Sequence, residues 1–301
     1  MNSSQSAHES QRQQTGPVAW CLRLVVLVQC IGVGGRYLLS SVETESDVYG
    51  WLYFDLHWPE ALSQTIDDTG MTLTLGAAVV LGITGWCRLL CDQSSIGASI
   101  AHRLDQAALL WVAAWMIALS IADMARAAVY GELALAEHAV RYAAPLALLM
   151  LTRRNQSPPK TLDDSHNSAR YALTLLVIAA SATFVAHGYK AIDRYAPFTD
   201  LILLSDLQWT GFGLSQSTAE RVLVIIGAVD GIIAIALVAF RLRFAAAYMG
   251  VWGVITAASR MSALGYEAWP ETVLRAANGG VPLAILLFLI AQNKSTSTKS
   301  E

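Results

Sequence analysis

The chain alternates long apolar runs with short polar breaks, and the runs have the length of bilayer-crossing helices. A hydrocarbon core takes roughly 20 mostly apolar residues per helix. Eight runs fit: about Val18 to Leu39, Thr69 to Cys91, Leu104 to Tyr130, Leu133 to Leu151, Tyr171 to Ala191, Thr218 to Leu242, Phe244 to Tyr266 and Trp269 to Ala291. The pattern predicts an all-α integral membrane protein with eight transmembrane helices. The fourth run is the weakest, because Glu137, His138 and Arg141 crowd its start.

The runs are not independent of one another. Asp55-Leu-His-Trp58 with Leu62-Ser-Gln64 is echoed by Asp206-Leu-Gln-Trp209 with Leu214-Ser-Gln216, and an apolar run follows each. Trp58 to Trp209, Gly76 to Gly227 and Arg36 to His187 are each 151 apart, whereas Arg126 to Arg260, Glu137 to Glu271 and Arg141 to Arg275 are 134 apart. The halves therefore match in two blocks, and the first half carries the difference, 17 residues, between them. Insertions belong in loops, which places the extra length around Asp92 to Arg103, opposite Arg241-Leu-Arg243. The eighth run repeats the fourth, with Glu271 and Arg275 in place of Glu137 and Arg141.

Four spans per half insert both halves the same way up, so the expectation is two parallel-topology four-helix repeats related by an axis along the membrane normal. The boundaries read as a polar tail 1–16 that lacks a signal-peptide pattern and is expected to be disordered, a first repeat 17–151 opened by Pro17, a cytoplasmic linker 152–170 with Pro158 and Pro159, a second repeat 171–292, and a tail 293–301. Arg12, Arg23, Arg88, Arg103, Arg153, Arg154, Lys160, Arg170, Arg241, Arg243, Lys294 and Lys299 fall on one side, and the opposite loops are acidic. By the positive-inside bias both termini face the cytoplasm.

Composition agrees with this reading. Of 301 residues 54% are hydrophobic and 14% charged, with mean hydropathy +0.45, which marks the membrane class, with the lipid bilayer as solvent. A net charge of −3 gives no support to a nucleic-acid partner. The outer segments Tyr49 to Leu62 and Tyr195 to Phe212 carry Trp51, Tyr53, Trp58, Phe198 and Trp209. Aromatics of this kind anchor a bundle at the headgroup level. Alternatively, the segments roof an outward-facing pocket.

Chemistry, if any, lies among ionisable residues inside the spans, where charge is costly and faces partners or cavities. Helix direction puts most of them in the outer half: Arg36, Asp123, Arg126, Glu137, His138 and Arg141 in the first repeat, and His187, Lys190, Arg260, Glu271 and Arg275 in the second. The expectation is one polar cluster per repeat. Helical spacing allows Asp123 to pair with Arg126, Glu137 with Arg141, and Glu271 with Arg275. Two readings stand: an ion-pair network tying each bundle, or a site for an anionic or quinone-like headgroup with arginines as donors. Asp230 lies near mid-membrane and has Val79 as its counterpart. A carboxyl at that depth needs a partner, for which Arg260, Asn278 and His187 are the candidates.

A four-helix unit with a basic residue late in its first helix, an acid followed by glycine in an apolar second helix (Asp230-Gly231-Ile-Ile-Ala-Ile) and arginines in the last two resembles the DoxX-like family of small bacterial membrane proteins. The second repeat carries the resemblance better. Asp230 stands where that family usually has glutamate, and the first repeat lacks the acid. The resemblance implies the bacterial inner membrane and quinone-linked redox or detoxification systems. Asp230, Arg260, Arg275, Glu271, His187 and Asn278 would then border a site for a quinone or a small hydrophobic redox molecule handed to a partner enzyme. No Cys-x-x-Cys-His haem motif, nucleotide-binding glycine loop or bis-histidine pattern is visible, so autonomous catalysis is not expected. A small-solute permease along the seam between repeats, or an assembly protein without activity, are the other classes. Cys21, Cys30, Cys87 and Cys91 lack metal-site spacing and read as small buried hydrophobes. Gly227, Gly231, Gly250, Gly253, Gly279 and Gly280 read as sites of close helix contact.

Overall fold

A computed structural model describes residues 3–39, 45–90, 96–127, 129–153 and 162–297. Twelve α-helices account for nearly all of it: α1 (Ser3–Gly34), α2 (Asp47–Gly50), α3 (Glu60–Leu90), α4 (Ile96–Arg126), α5 (Ala134–Glu137), α6 (Ala139–Arg153), α7 (Leu162–Ile192), α8 (Ala196–Ser205), α9 (Gln216–Phe240), α10 (Arg243–Leu264), α11 (Trp269–Leu274) and α12 (Ala276–Ser297). No strand occurs among the described residues.

Seven stretches are long and apolar enough to cross a bilayer: Thr15–Leu38, Glu60–Cys87, Ser99–Arg126, Gly131–Thr152, Asn167–Ile192, Gln216–Phe240 and Ala276–Asn293. Their outward faces carry large apolar side chains such as Val79, Ile83, Ile225, Ile232 and Ile235, all more than half exposed, as a lipid-facing surface requires. The remaining expected span forms α10, whose 22 residues rise ~33 Å at 1.5 Å each. Its many alanines, glycines and polar residues keep it less apolar than the other seven.

Three boundaries differ from the sequence expectation. The polar tail is helical from Ser3, and Pro17 sits inside α1 instead of opening it, since the Gln, Glu, Ala and Arg of this stretch are good helix formers. The linker is helical from Leu162, and residues 154–161 lie outside the described residues. The extra length of the first half is mostly helix. There α3 and α4 have 31 residues each, against 25 and 22 in α9 and α10; residues 91–95 between them, including Cys91, lie outside the described residues.

The core is built where α1 packs against α12, α3 and α6, and α7 against α9, α6 and α12. The first helix of each half thus leans on the last helix of the other. Glycines set the closest approaches. A Cβ at Gly227 would come within 2.4 Å of the Gly188 carbonyl oxygen, and one at Gly253 within 2.4 Å of the Asn278 carbonyl oxygen, so only glycine allows α7 to meet α9 and α10 to meet α12 there. Gly231 has no heavy atom within 4 Å of such a Cβ and makes no close contact.

Arg23 and Asp105 tie α1 to α4. Arg23 donates to both Asp105 carboxylate oxygens at 2.7 and 2.6 Å and to the Leu81 carbonyl at 2.9 Å, and the Thr84 hydroxyl donates to Asp105 at 2.6 Å. Every charge in this buried group has partners.

Candidate functional site

The outer segments differ between the halves because their sequences break differently. In the first, Ser46 caps the short α2 by accepting from the Val48 N–H, and one wide turn follows over Trp51–Asp55. In the second, Pro197 opens the longer α8, which ends in a similar wide turn over Asp206–Thr210. Gly211 and Gly213, with φ of 64° and 69°, then let the chain fold back so that Ser215 caps α9.

Asp206 holds that return. Its carboxylate accepts from the Thr210 hydroxyl, from the Phe212 N–H at 2.9 Å and from the Leu214 N–H at 2.7 Å. These bonds, the Thr210 hydroxyl first, hold its carboxyl below the usual range. Ser205 and Ser262 share a hydroxyl hydrogen bond of 2.9 Å, and Gln208 donates to the Ala263 carbonyl at 2.7 Å. The second outer segment is thereby pinned to α10.

Below it lies a cavity of about 710 Å³, within the range of small-molecule sites. Phe198, Leu201 and Ile202 of α8 roof it, Phe184 and His187 of α7 close one side, and α9, α10 and α12 form the rest. The second outer segment therefore has the roofing role, while Trp209 and Phe212 at its rim are also about three-quarters exposed. Ile255, half exposed, marks the wall that faces outward from the bundle.

Five of the six second-half candidates line this one cavity: His187, Asp230, Arg260, Arg275 and Asn278. Glu271 stands behind it as the carboxylate partner of Arg275. Asp230 is buried and accepts from the Tyr248 hydroxyl at 3.4 Å, with Trp252 and His187 also facing it. Of its candidate partners His187 faces it, and the hydrogen bond comes from Tyr248, which the sequence reading passed over. Asn278 is buried too, and its side-chain carbonyl has no hydrogen-bond partner.

The first-half candidates reach across to the second half as well as to one another. Arg36 pairs with Glu271 of the other half at 2.7 Å, and Glu137 pairs with His187 at 3.3 Å and with Lys190. These contacts are reciprocal under the sequence offsets, since Arg36 corresponds to His187 and Glu271 to Glu137. Each half's first helix thus reaches the other half's glutamate. Of the three pairings allowed by helical spacing, only Glu271 with Arg275 forms. Arg126 turns to Asp47 at 3.3 Å and Asp55 at 3.5 Å, room for its guanidinium being left by Gly50. Asp123 faces His138 at 3.8 Å. Arg141 is left between the halves, and its buried Nε has no partner.

His187 Nδ1 lies 2.9 Å from the Thr183 carbonyl, which can only accept, so Nδ1 carries a proton and Nε2 is turned to Glu137. Its ring stacks on Phe198 of the roof with centroids 5.9 Å apart. Among the described residues no group of three or more His, Cys, Asp and Glu side chains is arranged to hold a metal ion.

Fold and site together define a multi-helix protein with the surface of a bilayer-embedded chain and a roofed, largely apolar cavity bearing a few buried polar groups. No protein-family model matches the chain, and no curated protein and no solved structure is significantly similar to it.

Proposed function

We propose that the chain is a DoxX-like membrane component that binds a quinone or another small hydrophobic redox molecule in the α7–α12 cavity and presents it to a partner enzyme. In this reading α10 is the eighth span, the halves are parallel four-helix repeats, and the protein sits in a bacterial inner membrane with both termini cytoplasmic. The observation that carries the proposal is the 710 Å³ cavity, apolar over most of its lining, into which His187, Asp230, Arg260, Arg275 and Asn278 converge. The reciprocal pairs Arg36–Glu271 and His187–Glu137 support the repeat relation. A permease path along the seam gains no such support, because the cavity lies within the second half.

The test is mass spectrometry of small molecules extracted from gently solubilised, purified protein, comparing wild type with Asp230→Asn. A redox-active lipophile retained near one per chain by the wild type and lost from the folded variant is the expected result. No enriched molecule in either protein would refute the binding role for the isolated chain. Unchanged cellular phenotype and folding in Asp230→Asn would favour a purely structural protein.

A further inference from the structure

We propose that the cavity takes a lipophilic carboxylic acid from the surrounding bilayer, its carboxylate seated on Arg260. This rests on the cavity being a binding site and on the repeat relation, and it replaces a neutral headgroup with an anionic one.

The first half shows what an arginine at this position accepts. Arg126, the counterpart of Arg260 at the 134-residue offset, is held by the carboxylates of Asp47 and Asp55. Among the described residues Arg260 has no such partner. Asp206, the counterpart of Asp55 at the 151-residue offset, spends its carboxylate on Thr210, Phe212 and Leu214 of its own loop. The Arg260 side chain donates to the adjacent Ser259 hydroxyl at 3.4 Å, and among the described residues no carboxylate forms an ion pair with it. A guanidinium has five N–H donors, so most of this one is uncommitted in an apolar enclosure.

Charge around the cavity points the same way. Arg275 and Arg36 share Glu271, and Glu137 is taken by Lys190 and His187, which leaves the Arg260 charge without a carboxylate of its own. Asp230 does not offset it, since by helix rise it lies ~15 Å deeper than Arg260. A surplus cation in a low-dielectric site is costly until an anion arrives. Asn278, buried with an unpartnered amide carbonyl, faces the same space and can turn its amide to offer either end to the headgroup.

The rest of the cavity suits a tail. Phe184, Leu201, Leu223 and Ile226 line it, and half-exposed Ile255 continues it to the outward face of the helices. Free inorganic anions would satisfy Arg260 but leave this apolar volume unfilled.

The experiment uses the full chain in nonionic micelles and follows quenching of tryptophan fluorescence, because Trp209 and Trp252 line the cavity. Probes are 9,10-dibromostearate above its pKa, its methyl ester, a short-chain neutral quinone and inorganic sulfate, tested on wild type, Arg260→Gln and Arg260→Lys, with circular dichroism confirming helix content. The acid should quench saturably with at least tenfold tighter affinity than the ester. Arg260→Gln should abolish that preference and Arg260→Lys should keep part of it. Equal binding of acid and ester by the wild type, or a preference that survives Arg260→Gln, overturns the proposal. Saturable quenching by the quinone without acid preference would leave the cavity reading standing and remove the acid. No saturable quenching by any probe would remove both. Sulfate displacing the acid at comparable concentration would assign the site to a soluble anion and refute a bilayer source.

Discussion

Gly227 and Gly231 lie one turn apart on α9, yet the same substitution should act on them in opposite directions. A Cβ at 227 would stand 2.4 Å from the Gly188 carbonyl oxygen, 2.8 Å from Ile192 Cγ1 and 3.0 Å from the Ile192 nitrogen. Carbon and carbonyl oxygen settle at about 3.3–3.6 Å, so the overlap is about 1 Å against backbone that cannot rotate away. Overpacking of this kind costs ~1–3 kcal/mol. A Cβ at 231 meets nothing within 4 Å. Both Gly→Ala changes gain at most ~1 kcal/mol from helix propensity. Gly227→Ala should therefore be less stable than Gly231→Ala by ~1–3 kcal/mol, the overlap alone. Reversible unfolding in mixed dodecyl sulfate and dodecyl maltoside micelles, followed by circular dichroism at 222 nm, measures the difference. Equal midpoints, or a less stable Gly231→Ala, would refute the close α7–α9 contact.

Asp105→Ala should destabilise the chain by ~3–5 kcal/mol, because it strands the buried Arg23 guanidinium with only Leu81 and Thr84 as acceptors. Arg23→Met combined with Asp105→Leu should recover most of the loss in the same unfolding assay, and a double variant as damaged as the single would count against the ion pair. Asp206 has a folded pKa below its ordinary 3.8, so its contribution is complete above that value and is lost as pH falls through the lower folded one. Amide exchange of Gly211 to Leu214 should therefore quicken on acidification below about pH 4, while Asp206→Asn should exchange fast throughout; exchange independent of pH in the wild type after correction for intrinsic rates would contradict this. Tyr130 donates its hydroxyl to Asp193, which raises the phenol from 10 to about 12. The bond's contribution is whole below pH 10 and is lost as pH rises through the folded value, and absorbance titration at 295 nm should show one fewer late phenol in Asp193→Asn than in the wild type.

Helix positions were legible in the sequence because an apolar run of span length has few other uses. What each helix faces was not legible. Spacing along one helix made Glu137–Arg141 and Asp123–Arg126 natural pairs, but the rotation of each helix about its axis turns Glu137 toward α7 and Arg126 toward α2. Asp230 was conspicuous as a mid-span acid, whereas Tyr248 resembled any interior aromatic. Asp105 stood near the start of a span, where polar residues are ordinary, and its partner Arg23 read as one more cytoplasmic charge. Gly76 and Gly227 match in sequence, yet a Cβ at 76 would meet nothing within 4 Å. A glycine's meaning depends on the neighbour, which one strand of text does not contain.

The crossed pairs also set a timetable for biogenesis. Arg36 must enter the membrane about 235 residues before its partner Glu271 is synthesised, an interval of ~10–50 s at 5–20 residues per second. His187 finds Glu137 already in place. The first helix, alone among the two, must be sheltered from lipid while the ribosome completes the chain, which makes the early insertion intermediate the state most dependent on the insertion machinery.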